Sequence, residues 1–207
     1  PLEFEKELSV KLGGMTVKGR CDRIDGMNSE GKAYIRVVDY KHSRNLKFDL
    51  NAVYNGGNLQ MLLYLFGICA DPGLLSAESK RYFTNGGSSL EPSSVVYFKF
   101  AALPYAEAED NAKDREAKAL KSRRDYYTQN SSQGLVIQGS PEETAMEERI
   151  RELTSELYQK KKKEEAPSSS ERRFFSGFIN SVEVTPQEFD AMRGYCVSLL
   201  NTRLAEA

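Results

Sequence analysis

One histidine, three cysteines and no long apolar run remove several classes of protein before any motif is read. Cys21, Cys69 and Cys196 are far apart, odd in number and set in apolar surroundings, with no pair at metal-ligand spacing. They read as buried free thiols, which excludes a cysteine-ligated metal site and a disulfide-stapled scaffold. His42 follows Lys41, and neighbours in a strand face opposite sides, so a general-base role for it is set aside. No stretch approaches the roughly 18 apolar residues of a membrane span. The amino end, Pro1 to Leu8, lacks the basic and then apolar pattern of a secretion signal, so a cytoplasmic protein without membrane attachment is expected. A formal net charge of -1 conceals the basic runs Lys160 to Lys163 and Arg123 to Arg124, by default solvated helix faces, and argues neither for nor against nucleic acid. The chain opens without methionine inside what reads as a strand, so a fragment of a larger protein is expected.

What is present is an ordinary soluble composition, 40% hydrophobic and 29% charged over 207 residues, suited to one domain with its own core. Its strongest local signal is Tyr34 to Lys41, a β-branched run that ends in a carboxylate and an ammonium two residues apart. Such residues share a face of a strand, so Asp39 and Lys41 project together while Tyr40 points away. Upstream, Gly19 to Gly26 carries Asp22 and Asp25 at the end of a second strand. The stretch Gly26 to Lys32, rich in Gly, Asn and Ser, reads as the turn between the two and would set Asp22 beside Asp39.

Residues 3–12 alternate as a strand, Gly13-Gly14 turns, and Met15 to Ile24 returns, so that with Tyr34 to Lys41 they make an antiparallel meander. The loop that follows puts Lys41, Arg44 and Lys47 where they could face phosphates. Residues 49–70 read as one helix with Val53, Leu59, Leu62, Leu63, Phe66 and Ala70 on its apolar face, and Gly56 with Gly57 marks close approach of its backbone to the sheet. Gln60 and Tyr64, four residues apart, share a face of this helix and taken alone are an edge of the core. Ser94 to Ala101 is a strand reached through a helical crossover and therefore parallel to the one it joins.

The expected architecture is α/β: a mixed sheet, antiparallel meander plus crossover strand, flanked by helices. Residues 105–170 are expected as a charged helical insertion within a single domain spanning 1–207, interrupted by a short apolar return at Gly134 to Gln138. A capping box at Ser140-Pro141-Glu142-Glu143 opens one helix, and another at Thr185-Pro186-Gln187-Glu188 opens the last. Phe174 to Val184 reads as a strand or hairpin, and the last helix carries Phe189, Met192, Cys196, Leu199 and Leu200 on one face.

Asp22 and Asp39 on adjacent strands can bind a hard divalent cation, since Mg²⁺ takes few carboxylates and completes its shell with water and phosphate oxygens. The Tyr40 carbonyl is a further oxygen in reach, and Lys41 can position a water and stabilise charge on a phosphorane-like transition state. An isolated Asp-x-Lys is an exposed ion pair at a strand end, because three-residue patterns recur by chance. The ordered set is more specific: Gly-x-x-Asp, hairpin, apolar strand ending Asp-x-Lys, then a helix with Gln-x-x-x-Tyr.

That set, standing here as Gly19-Arg-Cys-Asp22, Val38-Asp39-Tyr40-Lys41 and Gln60-Met-Leu-Leu-Tyr64, resembles the PD-(D/E)XK nuclease superfamily and its RecB-like branch. Within the branch, these motifs, Tyr54 to Tyr64 and Thr185 to Phe189 resemble the nuclease domain of AddB-type helicase-nuclease subunits. The resemblance implies a restriction-endonuclease-like sheet and a Mg²⁺- or Mn²⁺-dependent DNA exonuclease in double-strand break repair and recombination. It also implies a single-stranded DNA end as substrate, an AddA-like helicase subunit as partner, and a bacterial cytoplasm. It makes Asp22, Asp39 and Tyr40 metal ligands, Lys41 the catalytic lysine, and Gln60 with Tyr64 the pair that orders the site or touches the nucleic-acid backbone, with Arg44 and Lys47 beside them. Asp25 is placed beyond the site, paired with Arg23 or a loop cation. An upstream acidic or histidine ligand common in the family falls before residue 1. No cysteine here matches the family's four-cysteine iron-sulfur site, so the resemblance leaves room for a cluster in a longer parent and none in this stretch. The alternatives are a catalytically silent DNA-binding module of the same complex, disfavoured by the intact Asp22, Asp39 and Lys41, and a stand-alone RecB-like exonuclease.

Overall fold

The computed structural model describes residues 1–42, 48–99, 133–141, 143 and 182–206. Their strands form one mixed six-stranded sheet in which spatial order follows chain order. β1 (Glu3–Leu12), β2 (Met15–Ser29) and β3 (Lys32–Lys41) are the antiparallel meander. The chain then passes through α1 (Leu50–Tyr54), α2 (Leu59–Ala70), a 3₁₀ turn at Pro72–Leu74 and α3 (Ala77–Arg81). It re-enters the sheet as β4 (Leu90–Lys99), parallel to β3, as the crossover predicts. β5 (Gln133–Ile137) is antiparallel to β4, β6 (Val182–Val184) is parallel to β5, and α4 (Pro186–Ala205) closes the chain.

The core lies between one sheet face and α2. Ile24, Ile35, Val37, Val95, Leu135 and Val184 face the helix, which answers with Met61, Leu62, Leu65, Phe66 and Ile68. α2 is buried almost all round because α4 covers its outer side, where Phe66 meets Phe189 with ring centroids 4.9 Å apart. Gly67 lets α2 approach the sheet, since a Cβ there would lie 2.2 Å from Val10.

Four expectations need correction. The turn after the second strand is only Glu30-Gly31, both at positive φ (49° and 75°); Gly26 to Ser29 are paired strand, because Asn28 and Met27 find register with Ala33 and Tyr34. Residues 49–70 are two helices, because Gly56 (φ 85°) and Asn58 (φ 52°) take left-handed backbone that a continuing helix cannot accept. The backbone that Gly56 admits is close to α4 and not to the sheet: a Cβ there would sit 3.1 Å from the Arg203 guanidinium. At the Ser140 capping box, the Glu143 carboxylate accepts from Gly139 N–H at 2.6 Å, while Ser140 Oγ is buried without a hydrogen bond among the described residues. The Thr185/Glu188 box forms as expected. The greater part of the charged insertion, and most of Phe174 to Val184, lie outside the described residues.

Candidate active site

β2 changes face where it reaches the site. Cys21 and Ile24 are both fully buried in the same core although three residues apart, and a regular strand would send them to opposite sides. The irregularity falls at Asp22, which with Glu5 (φ 49°) is skipped in the β1/β2 register. The β2/β3 ladder ends at Arg23 opposite Val38, so Asp22 and Asp39 are the next residues outward on adjacent strands. Asp22 bridges the opening by accepting the Tyr40 backbone N–H on Oδ2 at 2.8 Å. The Tyr40 carbonyl points to the same edge of β3 as its own N–H, toward Asp22.

Asp39 and Lys41 share a face, as the alternation predicts, and Lys41 Nζ is 2.7 Å from Asp39 Oδ2. That contact is an ion pair, and the Lys41 ammonium is the neighbour of this buried oxygen. Burial pushes the Asp39 carboxyl above its usual range; Lys41 opposes this and the Asp22 charge adds to it. Lys41 is 40% exposed at the side chain, so its ammonium reaches solvent while Asp39 is nearly covered.

Gln60 and Tyr64 on α2 are joined by a hydrogen bond from Gln60 Nε2 to the Tyr64 hydroxyl at 2.9 Å. Tyr64 is 1% exposed and packs on β2 at Gly19, where a Cβ would lie 1.9 Å from its hydroxyl. This explains the glycine three residues before Asp22; of the two roles expected for the pair, burial favours ordering the strand for Tyr64 over contact with nucleic acid. Gln60 is exposed. Arg44 and Lys47 lie outside the described residues. Asp25 is on the other face, held by both nitrogens of the Arg23 fork at 2.7 Å and by Arg36, as expected of a structural pair. Burial pushes its carboxyl up, but the hydrogen bonds from Arg23 and Arg36 outweigh this and hold it below the usual range. His42 is exposed just past the strand end.

Two neighbours escaped the sequence reading. Tyr97 stands opposite Asp39 in the β3/β4 register and is 5% exposed; burial, then the Asp39 charge, pushes its phenol upward. Phe48 stacks on it at 6.0 Å, and its N–H donates to Gln133 Oε1 at 3.1 Å. The alternation of Ser94 to Ala101 groups Tyr97 with Val95 and Lys99 and does not mark it as inward-facing; the register sets it against Asp39. Cys21 is also near the carboxylates. Its thiol donates to the Arg23 carbonyl and is pushed up to about 12 by burial first, then by the charges of Asp22 and Asp39.

Among the described residues no three His, Cys, Asp or Glu converge as a metal-binding group. The donor set is two carboxylates, one nearly buried with the Lys41 ammonium beside it. That fits a hard divalent ion which takes the rest of its shell from water and substrate.

A mixed sheet flanked by helices, with Asp22, Asp39 and Lys41 gathered at one strand end, is the arrangement of a restriction-endonuclease-like nuclease. The model of the PD-(D/E)XK nuclease superfamily matches residues 1–173, and the chain belongs to that superfamily, whose members generally use divalent metals. Its relatives include an ATP-dependent helicase/deoxyribonuclease subunit of Lysinibacillus sphaericus, 30% identical over 152 residues (73% of this chain, 11% of that protein). The like-named protein of Carboxydothermus hydrogenoformans is 38% identical over 85 residues (41% and 7%), and that of Clostridium perfringens 35% over 102 (46% and 8%). The chain thus spans about a tenth of the length of these relatives.

Proposed function

We propose that the chain is the nuclease domain of a helicase-nuclease subunit and hydrolyses DNA phosphodiester bonds at Asp22, Asp39 and Lys41. The observation that carries the reading is the pair Asp22 and Asp39 at one strand end: two carboxylates, one nearly buried and pushed up by burial and by the other's charge, with Lys41 alone 2.7 Å from it, are costly to hold together unless a further cation shares the site. A silent DNA-guiding module would have no use for that cost. Asp22, Asp39 and the Tyr40 carbonyl would hold Mg²⁺ or Mn²⁺, which when bound supplies Lewis acidity and a more acidic water. Lys41 extends from the covered Asp39 toward solvent, where its ammonium can meet a phosphate oxygen and stabilise charge as it develops. The hydrogen bond from Tyr40 N–H to Asp22 fixes the strand end, and Gln60 with Tyr64 holds β2 against α2. Arg44 and Lys47 supply cations for the backbone.

The relatives' names, subunits of ATP-dependent helicase/deoxyribonucleases, support a DNA substrate and a helicase partner; on this reading the partner is of the AddA type and the work is on broken ends in a bacterial cytoplasm. Exonuclease action on a single-stranded end follows the same reading, with residues 105–170 an arm of one domain. The test is a nuclease assay on single- and double-stranded DNA with Mg²⁺ or Mn²⁺, for this chain and its longer parent. Asp39→Ala and Lys41→Ala are each expected to cut cleavage by about 10²-fold or more. Metal-dependent cleavage by this protein that survives both substitutions overturns the assignment.

A further inference from the structure

Away from the carboxylates, the break between α1 and α2 carries an aromatic surface that the hydrolytic chemistry does not use. Tyr54, the last residue of α1, is 66% exposed, and its ring lies parallel to that of Tyr195 on α4, with centroids 5.3 Å apart and planes within 5°. The pair is fixed on both sides: the Tyr195 hydroxyl donates to the Tyr54 carbonyl at 2.8 Å, and Arg203 donates to the Asn55 carbonyl at 2.8 Å. Gly56 accommodates the guanidinium, since any side chain there would meet it. With α1 held to α4 by these bonds, the Tyr54 ring stays open to solvent beside an exposed arginine, a flat and rigid π surface.

Topology puts this surface at the site's edge of the sheet. The chain leaves β3 at Lys41 and must run back along α2 to the start of parallel β4, so α1, the break and the first turn of α2 lie at the end of β3 that carries Asp39. Phe48, stacked on Tyr97 opposite Asp39, stands two residues before α1, the short helix that ends in Tyr54. Exposed Gln60, in the first turn of α2, donates to the Tyr64 hydroxyl that packs on Gly19.

We infer that Tyr54 and Tyr195, with Arg203, form a stacking platform for an unpaired base of the nucleic acid strand held at the Asp22/Asp39/Lys41 site. The inference rests on the nuclease reading and adds to it where the strand goes. Every base has a π face and Arg203 offers charge without a hydrogen-bonding code, so the platform takes single strands irrespective of sequence, and duplex poorly because its bases are already stacked.

The test is equilibrium binding of single-stranded oligonucleotides carrying 2-aminopurine at successive positions, with Ca²⁺ in place of Mg²⁺, alongside Mg²⁺-dependent cleavage kinetics of the same proteins. Tyr54→Ala is expected to weaken single-strand binding about tenfold, to abolish the fluorescence change at one position, and to raise KM with little change in kcat. Tyr54→Phe, which keeps the ring, should behave as the parent, and thermal melting of both variants controls for loss of the helix contact. Unchanged affinity and unchanged fluorescence in Tyr54→Ala, with cleavage intact, overturn the platform alone and assign the surface to a protein neighbour. Failure of the unsubstituted protein to bind or cut any strand, in this chain and in its longer parent, overturns the platform together with the nuclease reading.

Discussion

Asp39 and Asp25 lie on adjacent strands and meet opposite environments, with opposite consequences. Asp25 has two arginine partners, so ionisation stabilises the fold, and that stability is present above the ordinary Asp range and lost as pH falls through its lowered value. Asp25→Ala leaves Arg23 and Arg36 half-buried without their shared partner, and chemical denaturation should register a loss of about 3 kcal/mol. Asp39 has its carboxyl raised, so the folded state binds its proton more tightly than the unfolded chain does, and stability falls as pH rises through that value. Asp39→Asn should therefore raise the Tm at neutral pH in the absence of divalent cations. The gain should shrink on acidification below the raised value, and an unchanged or lower Tm at pH 7 would contradict the electrostatic account.

The meeting of α2 with β2 is decided by one glycine. The Tyr64 hydroxyl occupies the space a Cβ of Gly19 would need, three residues from Asp22. Gly19→Ala should push α2 outward and cost about 1–3 kcal/mol. Tyr64→Phe, which removes the hydroxyl and its bond to Gln60, should recover part of that loss in the double variant, and additive losses in a double-mutant cycle would disprove direct contact. The same junction explains why Gly-x-x-Asp was readable as a motif while the reason for its glycine was not. A glycine in a strand signals close approach of something, but the sequence does not say of what.

At the scale of the whole molecule, a cation that binds the folded site and not the unfolded chain must stabilise it. At about 100 times the dissociation constant the gain is about 2.7 kcal/mol, or about 5–10 °C in Tm for a chain of this size. Mn²⁺ or Ca²⁺ should produce that shift in the unsubstituted protein, and Asp22→Asn and Asp39→Asn should each abolish it. A shift that persists in both variants would place the ion elsewhere.

The meander, the crossover strand, the capped last helix and the acidic strand end were all legible locally, because alternation, turn residues and caps act over a few residues. Asp39 and Lys41 could be put on one face for the same reason, since strand period alone decides it. What local pattern could not supply were relations between distant segments. The helix over 49–70 looked continuous because its apolar spacing continues, yet the packing of α4 against Gly56 and Tyr54 settles the break. Tyr97 and Phe48 gained a place beside Asp39 only through the β3/β4 register, and Tyr64 was withdrawn from solvent only because β2 lies beneath it. The identity of the chemistry was written in the order of a few side chains; the burial that makes Asp39 want a cation exists only where strands, helix and lysine meet.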